Sequence, residues 1–271
     1  MSSIPLSDNS GFITRHENFV SAFVPTRHVD VWLPPAYFAD ESARFPVLYM
    51  HDGQNLFDPA LAYTGVDWGV DETLNALGIA AIVVGAWNSS QRWRDYMPQR
   101  AFGTLAAARR EFFVQHAGGE PVSDGYLRFL VEELKPFIDT HYRTLPEASH
   151  TFIMGSSMGG LISLYAIEQY PQVFGGAGCL STHFPAGEEP LVDFLGARLP
   201  DPATHKLYFD FGTRTLDHNY EPYQRRMDDW LARAGYVQGK TCLTRKFEGH
   251  EHTESAWRAR LHIPLGFLFR A

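Results

Sequence analysis

Residues 150–165 read H-T-F-I-M-G-S-S-M-G-G-L-I-S-L-Y, and this stretch decides the fold. Thr151 to Met154 is a short apolar run with strand character, and the residues from Gly160 onward open an apolar helix. Between them lies Gly155-Ser156-Ser157-Met158-Gly159, a G-x-S-x-G sequence in the strand–turn–helix setting of a nucleophile elbow. The chemistry explains the residue types. A sharp strand-to-helix turn crowds the backbone, so glycines two positions either side of the serine keep the contacts tolerable, and the side chain is held out over the sheet edge. The free N–H groups of the following helix start point at developing negative charge. Ser157 is the candidate nucleophile. Ser156, at the variable position, reads as a local hydrogen-bonding residue of the turn. A plain glycine-rich turn is the bland alternative, and the flanking strand and helix argue against it.

Working outward, apolar and β-branched runs bounded by Gly, Pro and Asp recur at Arg27–Leu33, Phe45–Met50, Ala80–Gly85, Thr151–Met154, Gly176–Leu180, Lys206–Phe211 and Thr241–Phe247. Several are too continuous to be half-exposed, which fits a sheet covered on both faces. Helical spacing lies between them, from Gly125 to Thr140 and from Glu221 to Ala234. Alternation of strand and helix predicts an α/β fold with a mainly parallel central sheet, helices on both faces, and an antiparallel edge formed before Pro34. One domain over residues 1–271 is expected. Residues 99–124 and 183–205 interrupt the rhythm and read as cap or loop insertions.

The chain has 271 residues, 45 % of them hydrophobic and 20 % charged, enough to bury a large core. A formal charge of −8 speaks against nucleic acid as a partner, because phosphate binding needs clustered Lys and Arg. The two cysteines, Cys179 and Cys242, sit in apolar runs and read as small core residues rather than a bridge. The opening MSSIPLSDNSGFITRHENF lacks the basic start and apolar stretch of a signal peptide, and no apolar run reaches membrane-spanning length. A soluble, cytoplasmic protein without membrane association is the expectation.

A hydrolase of this elbow type places its carboxylate and then its histidine after the serine, each on a loop following a late strand. The loop after Lys206–Phe211 carries Asp217, and the loop after Thr241–Phe247 carries His250 and His252. Asp217 is preferred as the acid over Asp210, which lies within the strand with neighbours facing the other way, and over Glu221, which suits a helix start. His252 is preferred as the base because it stands immediately before Thr253, a plausible N-cap. His250 and His252 could instead form half of a metal site with His51, Asp52 or His183. No H-E-x-x-H, cysteine cluster or suitably spaced acidic pair completes it, so neither metal nor cofactor is expected.

These residues resemble a known group. YMHDGQNLFD at 49–58, WGVDETL at 68–74, LRFLVEELKPFIDTHYRTL at 127–145, GSSMGGLISLYA at 155–166 and EHTESAWRARL at 251–261 are similar to the bacterial putative-esterase family of α/β-hydrolases. It includes enterochelin esterases, feruloyl esterases, S-formylglutathione hydrolases and antigen 85-like mycolyltransferases. The resemblance spans most of the chain. It implies an α/β-hydrolase fold and a Ser-acid-His mechanism, with catalytic roles for Ser157 and His252. Asp217 sits where the family's acid is expected, after the retained Asp210-Phe211-Gly212-Thr213.

An oxyanion hole needs one N–H from the residue after the nucleophile, here Met158, and one from a loop after an early strand. His51–Asn55 fills that place, with the Gln54 main chain as the second donor, Asp52 tying the loop down and His51 packed within it. Trp87, Arg92 and Trp93 are candidate substrate contacts in an aromatic-rich stretch. The expected partner is a small-molecule ester, whether small, aryl or carbohydrate-linked, hydrolysed through an acyl-enzyme. An acyltransferase with the same residues, and a non-catalytic binding descendant of the fold, are the alternatives.

Overall fold

A computed structural model describes residues 2–5 and 11–270. Part of the opening stretch read above for a targeting signal lies outside the described residues. The strands are β1 (Ser2–Pro5), β2 (Phe12–Phe19), β3 (Arg27–Leu33), β4 (Val47–His51), β5 (Ile82–Ala86), β6 (Thr151–Ser156), β7 (Gly176–Leu180), β8 (Lys206–Gly212) and β9 (Cys242–Phe247). They form one sheet in the order β1-β2-β3-β5-β4-β6-β7-β8-β9. β1, β2, β3 and β5 pair antiparallel, and every pairing from β5 through β4 to β9 is parallel. This is the α/β fold expected, with the antiparallel edge at the N-terminal side.

Successive side chains of a strand face opposite ways, and the two faces have separate cores. Tyr49, Val84, Ile153 and Phe209 pack on one face. It is covered by the helices Met158–Gln169, Glu188–Gly196 and Glu221–Arg233 and by a helical run from Ser123 to His141. Leu48, Met50, Val83, Met154 and Tyr208 belong to the other core, beneath the helices Val70–Leu77, Glu254–Arg260 and His262–Phe269. The two cysteines are free and buried.

The helix expected over 125–140 runs from Ser123 to His141, with its middle, Phe129–Leu134, in π geometry. The stretches 99–124 and 183–205 contain short helices, chiefly Ala107–Ala117 and Glu188–Gly196. Among the described residues, no helix is long and apolar enough to cross a membrane.

The topology sets where a site can form. From β4 the chain steps to β5 on one side, and from β6 to β7 on the other, so the strand order reverses between β4 and β6. In open α/β sheets, the crevice beyond the carboxyl ends of the strands at such a reversal is where ligands bind.

Candidate active site

The turn after β6 is tight. Ser157 has φ 58° and ψ −122°, outside the regions that L-residues ordinarily occupy, and such backbone costs of order 1–3 kcal/mol unless the surroundings enforce it. Here they do. The Ser157 N–H donates to the Leu180 carbonyl at 2.9 Å, while the Ser157 carbonyl accepts from His183 at 3.1 Å and Leu161 at 3.1 Å. The helix Met158–Gln169 starts at once, so the Met158 N–H is among those with no intrahelical partner.

Ser157 and His252 line one cleft of about 520 Å³, together with Gln54, Arg92, Trp93 and Trp257. Their elements follow β6, β9 and β4, and β5 leads into Arg92 and Trp93. Parallel pairing therefore brings residues distant in sequence to one edge.

Asp217 lies behind His252, in the 3₁₀ turn Thr215–Asn219 after β8. Its Oδ1 is 2.6 Å from His252 Nδ1. Its Oδ2 accepts from the Ser181 hydroxyl at 2.7 Å and the Gly212 N–H at 2.6 Å. Burial works to raise the pKa of this carboxyl, but hydrogen bonds from His252 and Ser181, the electrostatic pull of the imidazole and the Gly212 N–H outweigh it and hold it below its ordinary value. A carboxylate only accepts, so His252 Nδ1 carries a proton and Nε2 is left as the acceptor. Thr253 caps the following helix, its hydroxyl accepting from the Ala256 N–H at 3.4 Å, which fixes the loop bearing His252.

Asp210 faces elsewhere. It accepts from buried Arg260 at 2.9 Å, from the Tyr208 hydroxyl at 2.8 Å and from the Ser181 N–H at 3.2 Å. Burial raises its pKa against the pull of Arg260. Ser181 joins the two acids: its hydroxyl donates to Asp217 while accepting from Trp257 Nε1 at 3.0 Å and Arg260 at 2.9 Å. Sequence reasoning missed Ser181 and Arg260, because nothing in their local sequence marks a buried polar hub.

The loop after β4 places Asp52 in left-handed backbone, φ 57°, ahead of the 3₁₀ turn Gly53–Asn55. Asp52 receives Arg92 through two bonds, 2.6 and 2.7 Å, and Asn88 at 2.7 Å. Arg92 is thus part of the cleft wall with its charge already paired. Burial would raise the Asp52 pKa, but the Arg92 charge and its hydrogen bonds bring it below the usual range. His51 is buried against Tyr126, whose hydroxyl is 2.8 Å from Nδ1. Gln54 lines the cleft, its amide oxygen accepting from the Asn88 N–H at 3.3 Å.

Trp87 does not line the cleft. Its Nε1 donates to Asp30 at 2.8 Å and Arg15 stacks over its ring at 4.6 Å, so this side chain belongs to the β2–β3 face of the antiparallel edge. Trp93 does line it, 48 % exposed, and also borders a second cavity of about 410 Å³ with Arg109, Phe112, Phe113 and His183. Among the described residues, no group of three or more His, Cys, Asp or Glu is placed to hold a metal ion.

Residues 21–262 match the family described as Putative esterase. The chain belongs to this family. It is an esterase of α/β-hydrolase architecture. Two Bacillus subtilis relatives are similar to this esterase. YbbA is 23 % identical over 233 residues, covering 83 % of this chain and 86 % of YbbA. The ferri-bacillibactin esterase BesA is 29 % identical over 146 residues, covering 49 % of this chain and 45 % of BesA. Among solved structures, an IroE-like serine hydrolase from Shewanella oneidensis superposes with a TM-score of 0.68 at 19 % identity, over 94 % of this chain and 78 % of that one.

Proposed function

We propose that this esterase works through a serine acyl-enzyme. Ser157 attacks the ester carbonyl and His252 Nε2 takes its proton. Asp217 holds the imidazole and balances its charge, and the main-chain N–H groups of Met158 and Gln54 receive the oxyanion. His252 then returns the proton to the leaving alcohol, and water, activated by the same imidazole, releases the acid. The observation that carries the reading is the 2.6 Å contact of His252 Nδ1 with Asp217, which fixes the tautomer needed for a general base in a cleft shared with Ser157.

The substrate proposed is a small, aryl or carbohydrate-linked ester. Its support is the half-exposed Trp93 at the cleft wall; the name of BesA, a ferri-bacillibactin esterase, supports ester cleavage as such. Segments 99–124 and 183–205 serve as a cap on a single domain spanning 1–271. In support, Phe112 and Phe113 of the first and His183 of the second face a common cavity beside Trp93.

The test is Ser157→Ala assayed on a panel of activated esters beside wild type. Turnover should fall by several orders of magnitude with the fold intact by circular dichroism, and a fluorophosphonate probe should label wild type at Ser157. A folded Ser157→Ala enzyme with near-normal turnover would falsify the assignment.

A further inference from the structure

Ser181, the first residue after β7, is fully buried. Its backbone is left-handed at φ 40°, where glycine would sit without strain, so a side chain here comes at a conformational cost. The Ser181 N–H donates to the Asp210 carbonyl at 2.8 Å. Its hydroxyl meets three partners: Asp217 Oδ2 at 2.7 Å, Trp257 Nε1 at 3.0 Å and a guanidinium nitrogen of Arg260 at 2.9 Å. Each of these reaches further. Asp217 Oδ1 is 2.6 Å from His252 Nδ1, the Trp257 ring meets the His252 ring edge-on at 4.9 Å between centroids, and the same Arg260 nitrogen donates to Asp210 Oδ1 at 2.9 Å. The Ser181 hydroxyl thus stands one step behind His252 by two routes.

Donor counting leaves this hydroxyl a single direction. An indole N–H and a guanidinium can only donate, so Trp257 and Arg260 take up the two lone pairs of the Ser181 oxygen. Its one proton then goes to Asp217, whose carboxylate only accepts. Donation into the hydroxyl polarises it and strengthens the bond that it makes in turn. Asp217 Oδ2 has a second donor in the Gly212 N–H at 2.6 Å. With Oδ1 on the imidazole and Oδ2 between two donors, the plane of the carboxylate is fixed.

We propose that Ser181 is a positioning residue for the Asp217–His252 pair, its hydroxyl aimed at Asp217 by Trp257 and Arg260. On the serine reading above, on which this role rests, His252 takes up a proton and gives it back in each half-reaction, and its ring must keep one orientation throughout. The carboxylate that orients it must therefore hold still. Without the Ser181 hydroxyl, Oδ2 keeps the Gly212 N–H alone, and the carboxylate rocks about that bond and carries the imidazole with it. Neither Ser181 nor Arg260 lines the cleft, and Trp257, which does, stays packed against Trp68 at 5.6 Å between centroids. The walls that hold the substrate are left in place.

Ser181→Ala removes the hydroxyl and keeps the Cβ. With p-nitrophenyl acetate its kcat should fall about tenfold to a hundredfold, the scale of a small misplacement of a reacting group, while KM stays within about twofold of wild type. Proton NMR supplies a measurement that lost stability alone would not move. In wild type the His252 Nδ1–H shared with Asp217 should give a far-downfield resonance that Asp217→Asn abolishes, and in folded Ser181→Ala it should shift upfield and broaden. An undiminished kcat overturns the proposal, as does a loss confined to KM or a reduced kcat with that resonance unmoved. If Ser181→Ala does not fold, Ser181→Gly, which suits φ 40°, is put through the same measurements with the same outcomes. Fluorophosphonate labelling separates the two readings: wild type unlabelled at Ser157 removes the serine mechanism itself, whereas labelled wild type with kcat and resonance unaffected in Ser181→Ala removes only the role of Ser181.

Discussion

Two aspartates stand within reach of Ser181, and their surroundings assign them different work. Asp217 shares its carboxylate between His252 and the turn that holds it, while Asp210 is locked in a fully buried pair with Arg260. Asp217→Asn keeps the shape but offers His252 an amide, which can trap the wrong tautomer. The expected outcome is a loss of about 10⁴ in kcat with little change in melting temperature. Asp210→Asn strips a buried cation of its counter-charge, a change that typically costs about 3–5 kcal/mol. Thermal denaturation should register it before kinetics do. Equal kinetic losses in the two variants would contradict this division. Chain order pointed to the loops after β8 and β9, because the α/β scaffold dictates which loops meet, and Asp217 and His252 were chosen within them by the strand position of Asp210 and the cap at Thr253. Side-chain direction was not legible: Trp87 turns to Asp30 and Arg92 is spent on Asp52.

At the scale of elements, the strands from β3 onward were legible to within two residues at their ends, since continuous apolar runs mark strands buried on both faces. β2 was not marked individually. Its sequence, FITRHENF, alternates poorly and is half exposed at the antiparallel edge, where packing constrains composition less. The elbow was legible as a motif, yet its two glycines do different things. A Cβ on Gly155 would meet the Gly159 backbone at 2.8 to 3.0 Å, atoms that cannot swing away. A Cβ on Gly159 would find Asp52 and His51 at 3.5 Å, ordinary contact, and alanine is favoured over glycine in a helix by about 1 kcal/mol. Gly155→Ala should therefore destabilise by about 1–3 kcal/mol or more, as overpacking does, whereas Gly159→Ala should stay within about 1 kcal/mol of wild type. Urea unfolding of both variants checks the asymmetry, and equal losses would mean that the turn relaxes as a unit.

For the molecule as a whole, packing helices on both faces of the sheet buries titratable groups, and this predicts how stability responds to acid. Burial pushes His51 down to about 3 and His183 to about 4, against 6.5 for the model group in each case. In the unfolded chain both take up protons near pH 6.5, while in the folded chain they do so only far below. Between those limits the unfolded state binds more protons, so stability falls as pH falls from about 6.5. The depressed carboxyls Asp52 and Asp217 lose their contribution only when pH drops to the ordinary carboxylate range and below. Asp210, Asp228 and Glu168 are raised by burial. They act in the opposite sense, binding protons in the folded state first, so total pH dependence does not isolate the histidines. A difference between two proteins does. His51→Asn removes one buried imidazole and leaves the carboxyls in place. Its unfolding free energy should lose about 2 kcal/mol less than wild type between pH 7 and pH 5, the linkage value for a single imidazole kept neutral over that span. Urea denaturation at the two pH values measures it, and parallel pH dependence in wild type and variant would show that His51 accepts a proton in the folded molecule as readily as in the unfolded chain.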